Sequence, residues 1–533
     1  MIEPQYFFYV FRLISEDKSI EAVQIIREIS VNRRCVKQDS LLLAYAILAR
    51  CNDKATKRAA YAILSEVCRI PTHLFIFINY CELESREDCA SKPSKHPGWG
   101  RVHKRAVSSW YTSFAKQPEQ LARLVTKYRK HGEWSHKDVI KLAHTSTDDK
   151  AIGFILRYIT KGLVKAREMY LDNVTDVDTD TRTTIDRIAN LFQICDTARR
   201  CAKRQHLCTI ITENKLSWEQ CNSDLLRSKE VWSALLPHMP VEATIQNIGR
   251  MTSYGMFADN TEDEELVLNK IRSINILAET SMGTINYGGD GKVVKTEASY
   301  ENTKERRNNI LHPFSILLAL DTYKKGRGDI GSLSWIPNQK IVQALDRAFY
   351  QAFETVAPTG KKFYLAVDVS ASMSQPVLGC TDLSCSTAAA AMMMFTARTE
   401  ENHIIKGFSE NMVDIDVHEA DTVWDVQKKM KAIPSGRSDC SQMMIDAMAN
   451  RIKDVDVFVV YTDNETSLGK VHPCDALCKY RLYSERPNAK LIVCGMCCTQ
   501  FTIADKDDPN MLDIVGFDPA APRLIAEFAM DKI

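Results

Sequence analysis

The chain has no apolar stretch long enough to span a bilayer. Its longest runs, Ser315 to Leu320 and Ala388 to Phe395, fall well short of the roughly 20 residues a membrane helix needs. It also has no charge excess: 69 lysines and arginines nearly cancel 68 aspartates and glutamates. That balance excludes a polycation, though not a local basic patch. The opening Met1-Ile2-Glu3-Pro4-Gln5 has no basic region leading into an apolar secretion core. The 17 cysteines are odd in number and scattered from Cys35 to Cys498, which argues against an oxidised framework and for a reducing compartment. No P-loop, His-Glu-x-x-His or Gly-x-Ser-x-Gly pattern occurs, nor any zinc-finger spacing, RRM signature or KH loop. What remains is a 533-residue chain that is 45% hydrophobic and 26% charged, close to the globular average and long enough for several domains. A soluble intracellular protein is expected.

The apolar spacing changes near residue 360. Up to about Phe353 it is mostly helical: Ile20, Val23, Ile26 and Ile29 form one stripe, and Leu41, Tyr45, Leu48 and Ala49 another. Ser135-His136-Lys137-Asp138 reads as an N-cap serine with a carboxylate three residues on. A catalytic Ser-His-Asp reading is rejected, because adjacent residues at a helix start do not build a triad. Breaks at Ile70-Pro71-Thr72, Leu236-Pro237-His238 and Leu311-His312-Pro313 suit stacked helix pairs, an α-solenoid of HEAT type. Beyond Ala357-Pro358-Thr359-Gly360, short β-type runs at 362–369, 456–462 and 490–494 alternate with helical patterns at 384–399, 421–432 and 439–452. This alternation predicts a doubly wound, six-stranded parallel sheet. The expected domains are a helical domain over 1–355 and an α/β domain over 361–533.

Asp368-Val369-Ser370-Ala371-Ser372 follows the first strand of the second domain. Ligands collect beyond the carboxyl ends of strands in such sheets, and a tight turn there can aim both serine hydroxyls at one point beside the Asp368 carboxylate. Taken alone, the motif is weak, since serine-rich turns are common, and a capped helix start is the better reading; Asp463 after a second strand reverses that. Asp463, at the end of the strand 457–461, and Ser438-Asp439, in the loop after Pro434, could complete a shell of hard oxygens. Such a shell suits a divalent metal ion, Mg2+. The combination resembles the metal-ion-dependent adhesion site (MIDAS) of von Willebrand factor A domains. That resemblance implies hydroxyl ligands from Ser370, Ser372 and Ser438, carboxylates Asp368 and Asp463 acting mostly through water, and one position open to an acidic group of a protein partner. Ser438 stands where the pattern has threonine, without the methyl group that stiffens the rotamer.

Between Arg101 and Gly132, eight basic residues (Arg101, Lys104, Arg105, Lys116, Arg123, Lys127, Arg129 and Lys130) face one acid, Glu119. Lys137 follows, Lys161 and Lys165 are four residues apart, and Arg200, Lys203 and Arg204 have the spacing of a single helical face. Such faces attract phosphates, although solvated helix surfaces have the same composition. Trp99, Trp110, Tyr111, Tyr128 and Trp134 are interleaved with these clusters, which strengthens the phosphate-binding reading, and most of them also read as core.

Gly98-Trp99-Gly100-Arg101, Val107-Ser108-Ser109-Trp110-Tyr111, Lys127-Tyr128-Arg129, Trp134-Ser135-His136-Lys137-Asp138, Ser228-Lys229-Glu230-Val231-Trp232, Leu236-Pro237-His238-Met239-Pro240, Gly249-Arg250-Met251-Thr252 and His312-Pro313-Phe314 resemble TROVE-domain signatures. With Leu365 to Met373, Phe458 to Thr466 and Leu491 to Met496, the likeness extends in order along nearly the whole chain. It is to the Ro ribonucleoprotein autoantigen family, TROVE-domain proteins with a C-terminal von Willebrand factor A-like domain. The resemblance implies a ring of HEAT-like repeats closed by the A-type domain. Small noncoding Y RNAs would bind outside the ring, at Lys161 and Lys165, and single-stranded ends of misfolded noncoding RNAs would enter a central hole, with the 101–137 cluster at the hole or its rim. It implies a role in noncoding RNA quality control, as a monomer, in the cytoplasm with a nuclear pool. The chain departs from the family in starting later than usual and in having Arg437 where glycine is usual.

Three weaker readings remain. Gly326-Arg327-Gly328-Asp329-Ile330-Gly331 fits the letters of a dinucleotide fingerprint but follows a helical pattern, so a helix C-terminal loop is expected. Cys494 and Cys497, with Cys474 and Cys478, could bind zinc or cycle redox state, but Cys494 falls on a buried-strand pattern where cysteine acts as a small hydrophobe. Tyr287-Gly288-Gly289-Asp290-Gly291 reads as a surface loop. Two alternatives to RNA binding are a magnesium-dependent protein-interaction scaffold and metal-assisted hydrolysis with Asp463 as base.

Overall fold

A computed structural model describes residues 13–14, 16, 18–32, 38–90, 99–172, 178–257, 261–276, 310–311, 313–328, 332–351, 357–377, 380–409, 411–418, 420–463, 471–497, 503–505, 507–516 and 521–532. The 1–5 opening, Gly98, the 287–291 glycine stretch, His312, residues 329–331 and residues 464–466 lie outside them. The chain forms two compact units, Tyr9–Lys270 with Leu333–Asn338, and Met1–Phe8 with Ile271–Ser332 and Gln339–Ile533.

The first unit is built of helices whose ends follow local chemistry. Asp53, Asp149 and Asp178 are N-caps that accept from Thr56, Ile152 and Thr181 amides, and Ser135 forms the expected capping box with Asp138. Pro71 and Pro118 open the helices Pro71–Ala90 and Pro118–Lys127, where a missing N–H is harmless. The second expected stripe, Leu41, Tyr45, Leu48 and Ala49, is buried in Asp39–Arg50. The first is rotated: Ser19–Val31 buries Ser19, Ala22, Val23, Ile26 and Ser30 and exposes Ile20. The reason is polar, because the Ser19 hydroxyl meets Thr56 Oγ1 at 2.6 Å and Ser30 donates to the Val67 carbonyl. Large aromatics fill the core and satisfy their polar ends locally: Tyr45 donates to the Ala60 carbonyl at 2.5 Å and Trp110 to the Cys68 carbonyl at 2.6 Å. Gly249 is obligatory for packing, since a Cβ there would lie 2.5 Å from the Trp335 ring.

The second unit contains a six-stranded sheet: β1 (Phe363–Asp368), β2 (His403–Phe408), β3 (Met412–Asp414), β4 (Val457–Thr462), β5 (Lys490–Gly495) and β6 (Met511–Val515). Their spatial order is β6-β5-β4-β1-β2-β3. Five strands are parallel, and the edge strand β3 runs antiparallel to β2. The wholly parallel expectation is corrected there: only a few residues separate β2 from β3, enough for a hairpin and too few for a crossover helix. Tyr364, Ala366, Phe458, Val460, Leu491 and Val493 line one face and pack on helices Gln442–Ala449 and Pro473–Ser484. The opposite face carries the helix Cys385–Thr399, where the Thr396 and Tyr461 hydroxyls meet at 2.9 Å. The chain passes from β1 outward to β2 and β3, then returns to place β4 on the other side of β1. The switch point therefore lies between β1 and β4.

The helices Pro313–Lys325 and Gln339–Gln351 cluster with this sheet rather than with the preceding helices. Trp424, on helix Val423–Lys431, donates its indole N–H to Asp321 Oδ1 at 3.2 Å, and Lys324 Nζ lies 3.8 Å from the Trp424 ring centroid. The Arg398 guanidinium lies 3.8 Å from the Tyr350 ring centroid. Gly326, at φ +67°, ends the helix Pro313–Lys325, as expected for a C-terminal loop. None of the helices among the described residues is long and apolar enough to cross a membrane.

Candidate metal centre and nucleic-acid interface

Register sets up the first site. Asp368 is the last residue of β1, and the pairing of Val367 with Tyr461 places Thr462 beside it at the end of β4. Asp368 is wholly buried and Asp463 nearly so. Asp368 Oδ1 accepts from the Ser370 amide at 2.8 Å, and Oδ2 accepts from the Thr462 hydroxyl at 2.9 Å. The 3-10 turn Ala371–Ser374 then brings Ser372 back, so that the Ser370 and Ser372 hydroxyl oxygens lie 2.9 Å apart. Burial raises the Asp368 carboxyl, and nearby Asp463 raises it further, against the hydrogen bonds from Ser370 and Thr462. Two buried carboxylates and a serine pair at a sheet switch point form a hard-oxygen set that fits a small divalent cation.

Ser438 is buried at the same end of the sheet: Ser409, just beyond β2, donates to the Pro434 carbonyl at 3.1 Å and ties down the loop that carries it. Asp439 has a local task, accepting from the Ser441 amide and hydroxyl and from the Gln442 side-chain amide. Arg437 is exposed. Thr462 was missed in the sequence, although a hydroxyl directly before Asp463 at a strand end was the available signal. Cys494 is buried on β5, as its pattern suggested.

The second site arises where three helices end together. Arg199, the penultimate residue of Thr179–Arg200, donates to the carbonyl of Thr126, the penultimate residue of Pro118–Lys127. Tyr158 stacks on Phe192 with centroids 3.7 Å apart and donates to Asp196 Oδ1 at 3.0 Å. Phe154, one turn earlier, also stacks on Phe192. Lys150–Lys161 and Thr179–Arg200 therefore run the same way, with Lys161 and Arg200 as their last residues. Arg129 and Lys130 lead from Lys127 into a two-residue bridge pairing Lys130–His131 with Trp134–Ser135, and Lys137 follows. Buried His136 holds this hairpin, its Nε2 lying 2.9 Å from the Tyr128 carbonyl. Lys127, Lys161 and Arg200 thus close three helices that pack together, and Arg129, Lys130 and Lys137 follow Lys127 along the chain.

Arg200, Lys203 and Arg204 do not share a helical face. Arg200 closes one helix, extended Cys201 breaks it, and Lys203 caps Arg204–Asn214. All three are exposed at the corner. Gly162, at φ +87°, likewise separates Lys161 from Lys165 on Leu163–Arg167. Lys165 pairs with Glu168 at 2.9 Å, and half-buried Lys127 pairs with Glu219 at 3.6 Å. Among the described residues, Arg129, Lys130, Lys137, Lys161, Arg200 and Lys203 enter no ion pair. Arg101, Lys104 and Arg105 lie on Arg101–Thr112, with Arg101 at its start; Lys104 is half-buried and the other two exposed. Trp110 and Tyr111 are core, whereas Trp99 and Trp134 are half-buried with ring centroids 5.8 Å apart.

The TROVE domain matches residues 14–361, and the Ro60 vWA domain matches residues 362–529. The chain belongs to the Ro family of TROVE-domain proteins. The RNA-binding protein RO60 of Caenorhabditis elegans is 31% identical over 571 residues, covering 98% of this chain and 83% of that protein. The RNA-binding protein RO60 of Deinococcus radiodurans is 30% identical over 527 residues, covering 98% and 87%. The crystal structure of the Deinococcus radiodurans RO (RSR) protein matches with a TM-score of 0.66 at 28% identity, over 100% of this chain and 95% of that one. The matches to these Ro relatives span both the helical region and the sheet.

Proposed function

We propose that this Ro-family chain is an RNA-binding protein of small cytoplasmic ribonucleoprotein particles, with a nuclear pool. It binds Y RNAs on its basic helical surface and takes the ends of misfolded noncoding RNAs in a central hole, for noncoding RNA quality control. The observation that carries the reading is that exposed Lys161 and Arg200 close two packed helices, and Arg199 is tied to the end of the helix that leads on to Lys130. Cations there complement the helix dipoles and present a shared surface to phosphates. Half-buried Trp134, opposite His131 in the bridge, offers a ring on which an unpaired base can stack. The names of the relatives, RNA-binding proteins, support the same partner class and a binding role rather than catalysis.

The second site is read as a Mg2+ site held by Ser370, Ser372 and Ser438, with Asp368 and Asp463 in support. A bound cation would neutralise the two buried carboxylates and offer a position to an acidic protein partner. Its support is the pair of buried carboxylates at the switch point.

The RNA reading is tested by gel-shift titration of a structured small RNA at several salt concentrations, with Lys130→Glu, Lys161→Glu and Arg200→Glu combined. Each phosphate contact contributes a slope of about 0.7–0.9 in log affinity against log salt. The triple variant is expected to bind weakly, with a slope shallower by about two. Unchanged affinity and slope would reject this surface.

A further inference from the structure

Cys385 and Cys497 are 112 positions apart in sequence, yet their sulfur atoms lie 3.4 Å from each other. Neither sulfur is in a disulfide. Cys385 is the first residue of the helix Cys385–Thr399 and is buried, while Cys497 follows the end of β5 and is half-buried. Three segments meet at the pair. The Cys385 amide donates to the Gln375 carbonyl at 2.8 Å, just beyond the turn that carries Ser372. The Cys497 thiol lies 3.6 Å from the Pro376 carbonyl. The Met496 amide donates to the Thr462 carbonyl at 2.7 Å, fixing the chain before Cys497 to the end of β4. The thiols therefore adjoin the switch-point crevice, and their neighbours are anchored on both sides. A disulfide sulfur separation is about 2.05 Å, so closure needs a shift of little more than an ångström at the end of one half-exposed loop.

We infer that Cys385 and Cys497 are a reversible thiol–disulfide pair, a covalent modification site that cross-links the start of the helix Cys385–Thr399 to the loop after β5. The oxidant is a low-molecular-weight disulfide. The thiolate of Cys497, the more accessible sulfur, attacks one sulfur of the oxidant; the Cys497 mixed disulfide forms and one small thiolate leaves. The Cys385 thiolate then attacks Cys497 Sγ, the mixed disulfide breaks, and the second small thiolate leaves. The two protons lost by the cysteines end on the two small thiols, and the two electrons reduce the oxidant. The hydrogen bond to Cys497, followed by burial, holds the Cys385 thiol protonated in the reduced pair. Cys385 is buried and Cys497 only half-buried, so the order of attack follows from which sulfur the oxidant can reach.

The test equilibrates the intact protein in graded mixtures of reduced and oxidised glutathione, quenches it with N-ethylmaleimide in acidified denaturant so that buried thiols react, and maps peptides by mass spectrometry without reduction. A Cys385–Cys497 cross-link, two hydrogens lighter than the reduced pair and reversed by dithiothreitol, is expected as the mixture becomes oxidising. In Cys385→Ser, Cys497 should accumulate as its glutathione adduct because the resolving thiol is gone. In Cys497→Ser, Cys385 should stay alkylated by the quench. The inference is overturned if wild-type Cys497 stops at the glutathione adduct, or if both thiols remain alkylated at ratios where other cysteines of the chain have oxidised.

Discussion

Two buried histidines should make the helical unit sensitive to mild acid. His103 and His136 are each 3% exposed. Burial pushes His103 down to about 3 and His136 down to about 4. The Tyr128 carbonyl can only accept, so His136 Nε2 carries the proton; Nδ1 then accepts from the Tyr111 hydroxyl at 2.8 Å. The Tyr61 hydroxyl lies 2.9 Å from His103 Nδ1. The ordinary histidine value is about 6.5, so between pH 6.5 and 4 the unfolded chain binds protons that the folded chain refuses. Stability is therefore full above about 6.5 and falls as pH drops towards 4. From pH 7 to pH 5 each histidine accounts for a loss of about 2 kcal/mol, about 4 kcal/mol together. Half-buried His73, also pushed down to about 4, adds in the same direction. On a unit of this size the loss lowers the unfolding midpoint by roughly 10 °C, measurable as helical circular dichroism against temperature at each pH. His136→Asn should start less stable but show a shallower decline between pH 7 and 5. A variant decline as steep as that of the wild type would refute the assignment.

Trp424→Ala removes the indole that donates to Asp321 and lies against Lys324, so the unit holding the sheet should lose about 2–4 kcal/mol by calorimetry, while Trp424→Phe should lose less. A Trp424→Ala midpoint equal to wild type would show that this contact does not dock the late helices. For Asp368→Ala, the rise in thermal midpoint on adding Mg2+ should vanish while RNA affinity stays near wild type. Loss of RNA affinity with the Mg2+ response intact would reverse the proposed division of labour.

Much of the α/β region was legible because its signals are local. Val457 to Tyr461 is a continuous apolar run, and Asp368 and Asp463 sit where such runs stop, so strand ends and carboxylates could be placed together. Thr462 was not, because a hydroxyl gains its role only when the register of β1 and β4 sets it against Asp368 Oδ2. The basic residues show the opposite limit. Spacing put Arg200, Lys203 and Arg204 on one helix face, but Cys201 breaks the helix and turns them into a corner. Spacing was silent on how the helices that carry these cations pack, which depends on Arg199 reaching Thr126 and Tyr158 reaching Asp196. Tertiary contacts also placed Pro313–Lys325 and Gln339–Gln351 with the sheet, an association that helical periodicity does not record.

The most direct test of RNA capture is to purify the intact protein from its own cells under native conditions and sequence the nucleic acid that accompanies it. Small structured noncoding RNAs should dominate, together with noncoding transcripts bearing single-stranded ends, and the Lys130→Glu, Lys161→Glu, Arg200→Glu protein should be largely depleted of the former. Nucleic-acid-free protein, or a triple variant with an unchanged RNA profile, would contradict the account.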